Sequence, residues 1–295
     1  MAGKEQWLES RWQLEKSELD RLVASLEQMG SLGSYEDLPI DDSDPRFHSD
    51  QTELLAYFPD ADAEVLRKKL SQLENNACRL EVIKPIPQGD WATAWRQHFK
   101  PMPLTRHVVI KPSWEDYQQQ DGEVIVTLDP GMAFGTGQHD TTRFCAEFIE
   151  DIRENHPDLE SLLDVGCGSG ILSIIAKKLG FKNVAGVDND VESVATAKEN
   201  LQRNPDASDI SFFVNDGGLD HPDLKKSDVV VSNIIAESLV ELKDGLIALV
   251  KPNGYLVLSG IIPDRGEMVK QAFSGLEFLA ERTSQDWHAY LYHKK

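Results

Sequence analysis

The segment "LLDVGCGSGILSIIAKKLG", residues Leu162–Gly180, is the strongest indication of the fold class in this sequence. It opens with apolar residues typical of a buried strand, continues with Gly166, Gly168 and Gly170 at every second position, and closes with a helical pattern of apolar residues. A strand, a glycine-rich turn and a helix in this order form the first half of a βαβ unit, whose turn binds a ligand at the helix N-terminus. The spacing of the glycines indicates what kind of ligand the turn binds.

That spacing disfavours ligands that bind through a phosphate. A dinucleotide-binding turn has the pattern G-x-G-x-x-G, and its third glycine would fall on Ile171. A P-loop places Lys and then Ser or Thr directly after its last glycine, whereas the first lysine after this turn is Lys177. Asp164, just before the turn, would repel a phosphate and would suit an ammonium group.

A second acidic residue, Asp188, closes the next strand in "VAGVDND", 22 residues after Gly166. The end of this strand lies beside the end of the first strand of the βαβ unit, so a carboxylate there can accept hydrogen bonds from both hydroxyls of a ribose. S-adenosylmethionine has a ribose, a positive charge and no phosphate, and it is the predicted cofactor. Gly166, Gly168, Asp164 and Asp188 are its predicted contacts. The alternative for the glycine motif alone is a tight turn that binds nothing.

Strands and helices alternate from Ser161 onward, which predicts a doubly wound α/β sheet. The tail, residues 276–294, predicts an antiparallel hairpin that completes a seven-stranded sheet at its edge. The other predicted strands are Ser161–Val165, Asn183–Val187, Ile210–Val214, Asp228–Ser232 and Gly254–Ser259. The predicted helices are Ile171–Leu179, Val191–Arg203, Glu237–Val250 and Asp264–Phe273.

The first ninety or so residues predict the order β-α-β-β-α-β, which is that of a ferredoxin-like α+β sandwich. The predicted domains are therefore a small domain over residues 1–87 and the α/β domain over residues 105–295, joined by a linker over residues 88–104. The linker carries Trp91, Trp95 and Phe99 at four-residue spacing, a stripe that we expect to pack against a neighbouring domain.

Two further segments fall at the carboxyl ends of predicted strands, where ligands bind in open α/β sheets. In "SNIIAESL", Asn233 follows a strand, and its side-chain carbonyl could accept a hydrogen bond from a substrate amine or from the cofactor. Methyl transfer to an uncharged amine needs alignment and a site that disfavours the ammonium form, and Asn233 is the predicted catalytic residue for that task. The alternative is that Asn233 forms a turn or caps a helix.

The other segment is "DPGMAFGTGQHDTTRFCAEFIE", Asp129–Glu150, which joins a strand to a helix. Its glycine-rich part could fold over the cofactor, with Phe134 against the adenine or the methionine and Thr142 donating a hydroxyl bond. His139 could accept a proton near neutral pH, although a structural role is the simpler interpretation. Residues 140–142 also resemble a helix start, so capping alone would explain them.

The chain carries 50 acidic and 30 basic residues, a formal net charge of -20. Such a surface repels nucleic acid and favours a basic partner. Ten acids and one base, Arg46, lie between Glu36 and Glu64, which indicates either a solvated acidic loop or a docking face for a cationic protein.

The sequence shows neither a membrane-spanning apolar run nor an apolar signal core at the start of the chain. The three cysteines, Cys78, Cys145 and Cys167, have no paired spacing, so neither disulfides nor a metal site is expected. These features predict a cytoplasmic protein.

The quoted segments, together with "GVDNDVESVATAKEN" and "VVVSNIIAESLVEL", resemble the S-adenosylmethionine-dependent methyltransferases of bacteria that modify ribosomal large-subunit protein eleven. "DWATAWRQHFKPMPL" and the final "DWHAYLYHKK" fit the same family. The resemblance implies methylation, to the trimethyl level, of lysine ε-amines and an N-terminal α-amine on a basic ribosomal protein. It implies cofactor contacts at Thr142, Gly166, Asp188 and Asn233, and a first domain that holds the substrate. The family's loop usually has Thr-His-Pro where this chain has Gln138, His139 and Asp140.

Three alternatives stay open on the sequence alone. One is a lysine methyltransferase that acts on another protein, and another is a binding module that keeps the fold without the chemistry. The third is a nicotinamide-dependent oxidoreductase, which the missing third glycine and Asp164 disfavour. The oligomeric state cannot be read from the sequence.

Overall fold

A computed structural model describes residues 7–31, 33–37, 50–58, 62–86, 100–129, 139–215, 218–219 and 224–295. The chain divides into two compact units, Met1–His98 and Phe99–Lys295. Residues 88–99 of the expected linker, with its aromatic stripe, and residues 38–49 of the acidic segment lie outside the described residues. Within the described residues, no helix is long and apolar enough to cross a membrane.

The first unit contains a four-stranded antiparallel sheet in the order β2-β3-β1-β4, with β1 paired to both β3 and β4. Its described elements are β1 (Trp7–Glu15), α1 (Leu19–Gln28), β2 (Gly33–Asp37), β3 (Gln51–Phe58), α2 (Ala63–Leu70) and β4 (Cys78–Ile86). This is the ferredoxin-like arrangement predicted from the sequence. Trp12 and Leu14 alternate along β1 and therefore lie on the same face of the strand. They pack in one buried core with Leu22 and Leu26, which are four residues apart and share one face of α1.

The second unit contains a seven-stranded sheet and a three-stranded sheet. Its elements up to the glycine turn are β5 (Met102–Pro103), β6 (Val108–Lys111), β7 (Val124–Thr127), α3 (Asp140–Asn155) and β8 (Ser161–Val165). After the turn come α4 (Ile171–Lys178), β9 (Asn183–Asp188), α5 (Val191–Gln202), β10 (Ser211–Val214) and β11 (Ser227–Asn233). The chain continues through α6 (Ala236–Glu241), α7 (Lys243–Leu249), β12 (Val250–Ile261), α8 (Gly266–Ala272), β13 (Glu277–Thr283) and β14 (His288–Lys294).

The large sheet has the order β10-β9-β8-β11-β12-β14-β13, and all its pairs are parallel except those that β14 makes with β12 and β13. The chain moves outward from β8 in one direction through β9 and β10, and then returns to the other side of β8 at β11. The doubly wound prediction is thus confirmed. The reversal of strand order between β8 and β11 is where such sheets open a crevice at their carboxyl edge.

Helices cover both faces of this sheet, so its central strands are buried on both sides. All five residues of β8 are buried. Leu162 packs into the core on one face, while Leu163 and Val165 pack into the core on the other. A near-continuous apolar run is what a parallel strand between two helix layers requires.

The helix predicted over Glu237–Val250 is two helices, and that prediction was wrong in its middle and at its end. Leu242 separates α6 from α7 with backbone angles of φ -87° and ψ 2°, and Val250 already belongs to β12. The buried leucines on either side of the break, Leu239 and Leu246, keep a spacing that one continuous helix would also give. The apolar pattern therefore carries no trace of the break.

Gly170 ends the glycine turn and precedes α4 with a φ of +76°, in the left-handed region. A Cβ at this position would come within 2.8 Å of the Phe212 ring and 2.9 Å of the Ala197 Cβ. Only glycine therefore satisfies both the backbone and the packing between α4 and its neighbours.

We expect Gly170→Ala to destabilise the protein by about 2–4 kcal/mol, because an unfavourable backbone conformation and overpacking add together. Gly122→Ala is the matched control, since Gly122 has a φ of +84° with open space around it. It should cost only about 1 kcal/mol. Urea denaturation of both variants measures the difference, and equal losses would contradict the packing argument.

Candidate active site

A cleft of about 610 Å³ opens at the carboxyl edge of the large sheet, at the ends of β8, β9, β10 and β11. Four of the residues predicted from the sequence line it, namely Gly166, Gly168, Asp188 and Asn233. The structure thus brings together side chains and turns that come from three separate parts of the chain. Phe134 lies outside the described residues.

Asp188 joins the end of β9 to the glycine turn. Its Oδ2 accepts a hydrogen bond of 2.9 Å from the backbone N–H of Gly168, and its Oδ1 accepts one of 3.0 Å from the N–H of Asp190. The N–H of Gly166 donates to the carbonyl of Val187 over 2.8 Å. The turn and the carboxylate therefore hold each other in place, and the carboxylate stays at the wall of the cleft.

Gly166 has a φ of +75°, and a Cβ there would collide with the side chain of Ile234. Ile234 follows Asn233 at the end of β11, so the absence of a side chain at Gly166 lets the β11–α6 connection approach the turn closely. This contact sets the distance between the two sides of the cleft.

Asp164 is buried, with 1% of its surface exposed, and it does not line the cleft. Its Oδ2 accepts hydrogen bonds from the hydroxyl and the backbone N–H of Ser173, at 2.8 and 3.2 Å. Its Oδ1 has no hydrogen-bond partner within the described part of the chain. Burial raises the pKa of the carboxyl from its ordinary 3.8 to about 7, with the bonds from Ser173 opposing the rise and the nearby Asp188 adding to it.

Asn233 stands at the end of β11, where its Nδ2 donates to the hydroxyl of Thr141 over 3.3 Å. Its Oδ1 is buried and has no hydrogen-bond partner among the described residues, and the same is true of the Thr142 hydroxyl oxygen. Thr142 itself is fully buried in the first turn of α3. Asn233 lines the cleft, whereas Thr142 does not, so the predicted cofactor contact of Thr142 stays a prediction. A buried polar atom without a partner is one that a ligand can satisfy.

His139 is the N-cap of α3, a position that the sequence interpretation gave to the residues after it. Its ring nitrogen Nδ1 lies 2.7 Å from the Thr141 hydroxyl oxygen and accepts from the Thr141 backbone N–H at 3.4 Å. The ring also meets Trp287 edge to face, with 4.8 Å between ring centroids. A role for His139 as a proton acceptor in the reaction stays a prediction.

Sequence reasoning missed three residues of this region. Ser173, which holds Asp164, is a lone polar residue inside the apolar run "ILSII", and that isolation was a usable signal. Asn215 lines the cleft directly after β10, at the same strand edge as Asp188. Thr141 was interpreted only as part of a helix start, and nothing in its spacing indicates its contact with Asn233.

Comparison with known proteins gives one consistent result. The model of the family described as ribosomal protein L11 methyltransferase (PrmA) matches residues 6–295. The ribosomal protein L11 methyltransferase of Enterococcus faecalis is 39% identical over 257 residues, which cover 82% of this chain and 79% of that protein. The protein of the same name from Geotalea uraniireducens is 37% identical over 268 residues, covering 87% of this chain and 84% of the relative.

A solved structure shows the same likeness. The crystal structure of the ribosomal protein L11 methylase from Lactobacillus delbrueckii subsp. bulgaricus matches with a TM-score of 0.59 and 31% identity. The match covers 67% of this chain and 100% of the chain in the crystal structure.

The raised pKa of Asp164 predicts how stability depends on pH. The native carboxyl keeps its proton up to about pH 7, whereas the carboxyl of the unfolded chain loses it near pH 3.8. The free energy of unfolding of the wild type therefore falls as the pH rises between these two values. Asp164→Asn cannot ionise, so its free energy of unfolding relative to the wild type should rise by about 2–4 kcal/mol between pH 4 and pH 8.

Urea denaturation at several pH values checks this expectation. Asp190→Asn is the control, because the exposed Asp190 carboxylate caps α5 and its pKa is lowered by the N–H groups of Glu192 and Ser193 and by the Ser193 hydroxyl. Its difference from the wild type should be flat above pH 5. A flat difference for Asp164→Asn as well would mean that the buried carboxyl is charged throughout.

Proposed function

The chain belongs to the ribosomal protein L11 methyltransferase family, and from this we propose that it transfers methyl groups from S-adenosylmethionine to amino groups of ribosomal protein L11. The amines are lysine ε-amines and the N-terminal α-amine. The observation that carries the proposal is the family match over residues 6–295, which includes every residue of the cleft. A nicotinamide-dependent oxidoreductase has no support in this match.

The cleft suits S-adenosylmethionine better than a nucleotide bound by phosphate. Asp188 puts a carboxylate at its wall, which suits ribose hydroxyls, and no lysine or arginine is among the described residues that line it. In this proposal Asp188 holds the ribose, Gly166 and Gly168 supply the backbone of the turn, and Thr142 donates its hydroxyl. Phe134 would pack against the adenine or the methionine. When bound, the cofactor supplies a methyl group on a positively charged sulfur.

Asp164 acts from behind the turn in this proposal. Its Oδ1 is buried and has no partner among the described residues, so a cationic group of the cofactor nearby would favour the charged carboxylate. Through Ser173, the same carboxylate also fixes the first turn of α4. Asp164 can therefore favour a cationic group of the cofactor with one oxygen and hold Ser173 with the other.

Asn233 prepares the acceptor amine. The amine attacks through its lone pair, so it must be uncharged in the site. The buried Oδ1 of Asn233 can accept one N–H of a neutral amine and so direct the lone pair away from itself. A carboxylate at this position would stabilise the ammonium form of the amine, whereas a neutral amide does not.

The first unit holds the substrate in this proposal, and charge supports the choice of partner. A formal net charge of -20, with ten acids between Glu36 and Glu64, attracts a basic ribosomal protein and speeds the encounter. The same charge disfavours direct binding of nucleic acid. Because the proposed partner is a protein of the ribosome, we propose that the reaction takes place in the cytoplasm.

Mass spectrometry of purified ribosomal protein L11 after incubation with this protein and S-adenosylmethionine tests the proposed function. We expect mass gains in steps of one methyl group. In Asp188→Asn, which keeps the size and removes the charge that the ribose hydroxyls require, the gains should be lost or strongly slowed. The cofactor should also bind about ten- to a hundredfold more weakly by calorimetry.

Asp190→Asn is again the matched control, since it changes the same residue type two positions away and retains an N-cap. It should methylate at the wild-type rate. Cofactor binding without any mass gain on L11 would discard the substrate and retain the methyltransferase.

A further inference from the structure

Three polar side chains form a short chain of hydrogen bonds that ends at the cleft. His139 contacts the Thr141 hydroxyl at 2.7 Å, and Asn233 Nδ2 reaches the same hydroxyl at 3.3 Å. Thr141 is only 1% exposed, and Ser259 donates to its backbone carbonyl over 3.2 Å. The backbone of Thr141 is thus fixed by Ser259, and its hydroxyl contacts both His139 and Asn233.

The hydrogen atoms in this chain can be assigned from one end. The backbone N–H of Thr141 points at Nδ1 of His139, which therefore serves as an acceptor. The single lone pair of Nδ1 takes its strong hydrogen bond from the Thr141 hydroxyl at 2.7 Å, while the backbone N–H at 3.4 Å shares that lone pair weakly. A lone pair of the hydroxyl oxygen remains free to accept. Asn233 must present its NH₂ group to that lone pair.

The opposite orientation of the amide is unfavourable. It would set the carbonyl oxygen of Asn233 against the Thr141 oxygen, whose proton is already committed to His139, and two acceptors would face each other. The chain therefore selects the orientation in which Nδ2 faces Thr141. The Oδ1 of Asn233 is then turned to the other side, where it is buried and has no partner within the described residues.

We propose that Thr141 is a positioning residue for methyl transfer, which fixes the side-chain amide of Asn233 so that its carbonyl oxygen faces the acceptor amine. The inference rests on the proposed function for the identity of that amine. Thr141 does not touch the substrate, and its effect passes through Asn233. His139 orients the hydroxyl, and Trp287, packed edge to face at 4.8 Å, holds the His139 ring.

Removal of the hydroxyl frees the amide. In Thr141→Val, which has nearly the same shape, Nδ2 loses its acceptor and the NH₂ group can turn toward the cleft, where it cannot accept an N–H from the amine. We expect kcat for L11 to fall about ten- to a hundredfold, while the dissociation constant for S-adenosylmethionine stays within about twofold. Thr141→Ser keeps the hydroxyl and should retain kcat within about threefold.

A second measurement reports the amide directly and needs no turnover. The side-chain amide signals of Asn233 in isotopically labelled protein, assigned by their loss in Asn233→Asp, should show slow hydrogen exchange in the wild type and in Thr141→Ser. In Thr141→Val the exchange should be at least about tenfold faster. Ser161→Ala is the control, because it removes a buried hydroxyl at the opposite edge of the sheet and should lower stability without changing kcat or these signals.

Each result decides a separate question. Wild-type kcat in Thr141→Val with unchanged amide exchange overturns the proposal. A loss in Thr141→Ser as large as in Thr141→Val also overturns it, since packing of the methyl group would then be the cause. Failure of the wild-type protein to methylate L11 refutes the proposed function, and the exchange of the Asn233 amide still tests the orientation.

Discussion

The hydrogen bond from the Gly168 N–H to the Asp188 carboxylate connects the ends of two parallel strands, and the shape of the cleft depends on it. The strands bring the two groups to one edge, but a turn with left-handed glycines is needed before an N–H can point across to the acid. The same turn leaves space for Ile234, so the far side of the cleft is fixed by the same constraint. A side chain in the turn would therefore disturb both sides together.

The buried carboxyl of Asp164, in the strand that leads into this turn, lowers the stability of the fold. Burial raises the pKa of Asp164 to about 7, and the two bonds from Ser173 oppose this rise only in part. An apolar residue in the same place would be cheaper for stability alone. In the proposed function this carboxyl favours the cationic group of the cofactor, which an apolar residue could not do.

The fold class could be predicted because the order of the predicted strands and helices and the spacing of the motif residues indicated the same arrangement. Alternation of strands and helices predicted the doubly wound sheet, and the paired positions of Gly166 and Asp188 predicted that they would meet at its edge; the structure places both at the cleft. The break at Leu242 could not be predicted, since its leucine spacing also fits one helix. Contacts across the chain, such as His139 with Trp287, depend on tertiary packing and leave no periodic signal.

The orientation of one amide illustrates what lies beyond sequence patterns. Asparagine at a strand end is compatible with a turn, a cap or a catalytic acceptor, and only its neighbours separate these roles. Here α3 begins with a histidine cap whose Nδ1 accepts from Thr141. The Thr141 hydroxyl then donates to the same ring nitrogen and accepts from the NH₂ group of Asn233. The carbonyl oxygen is left over for the cleft. A helix cap and the proposed catalytic acceptor are thus joined by one chain of hydrogen bonds, and a threonine hydroxyl between them can contact both whereas an apolar side chain could not.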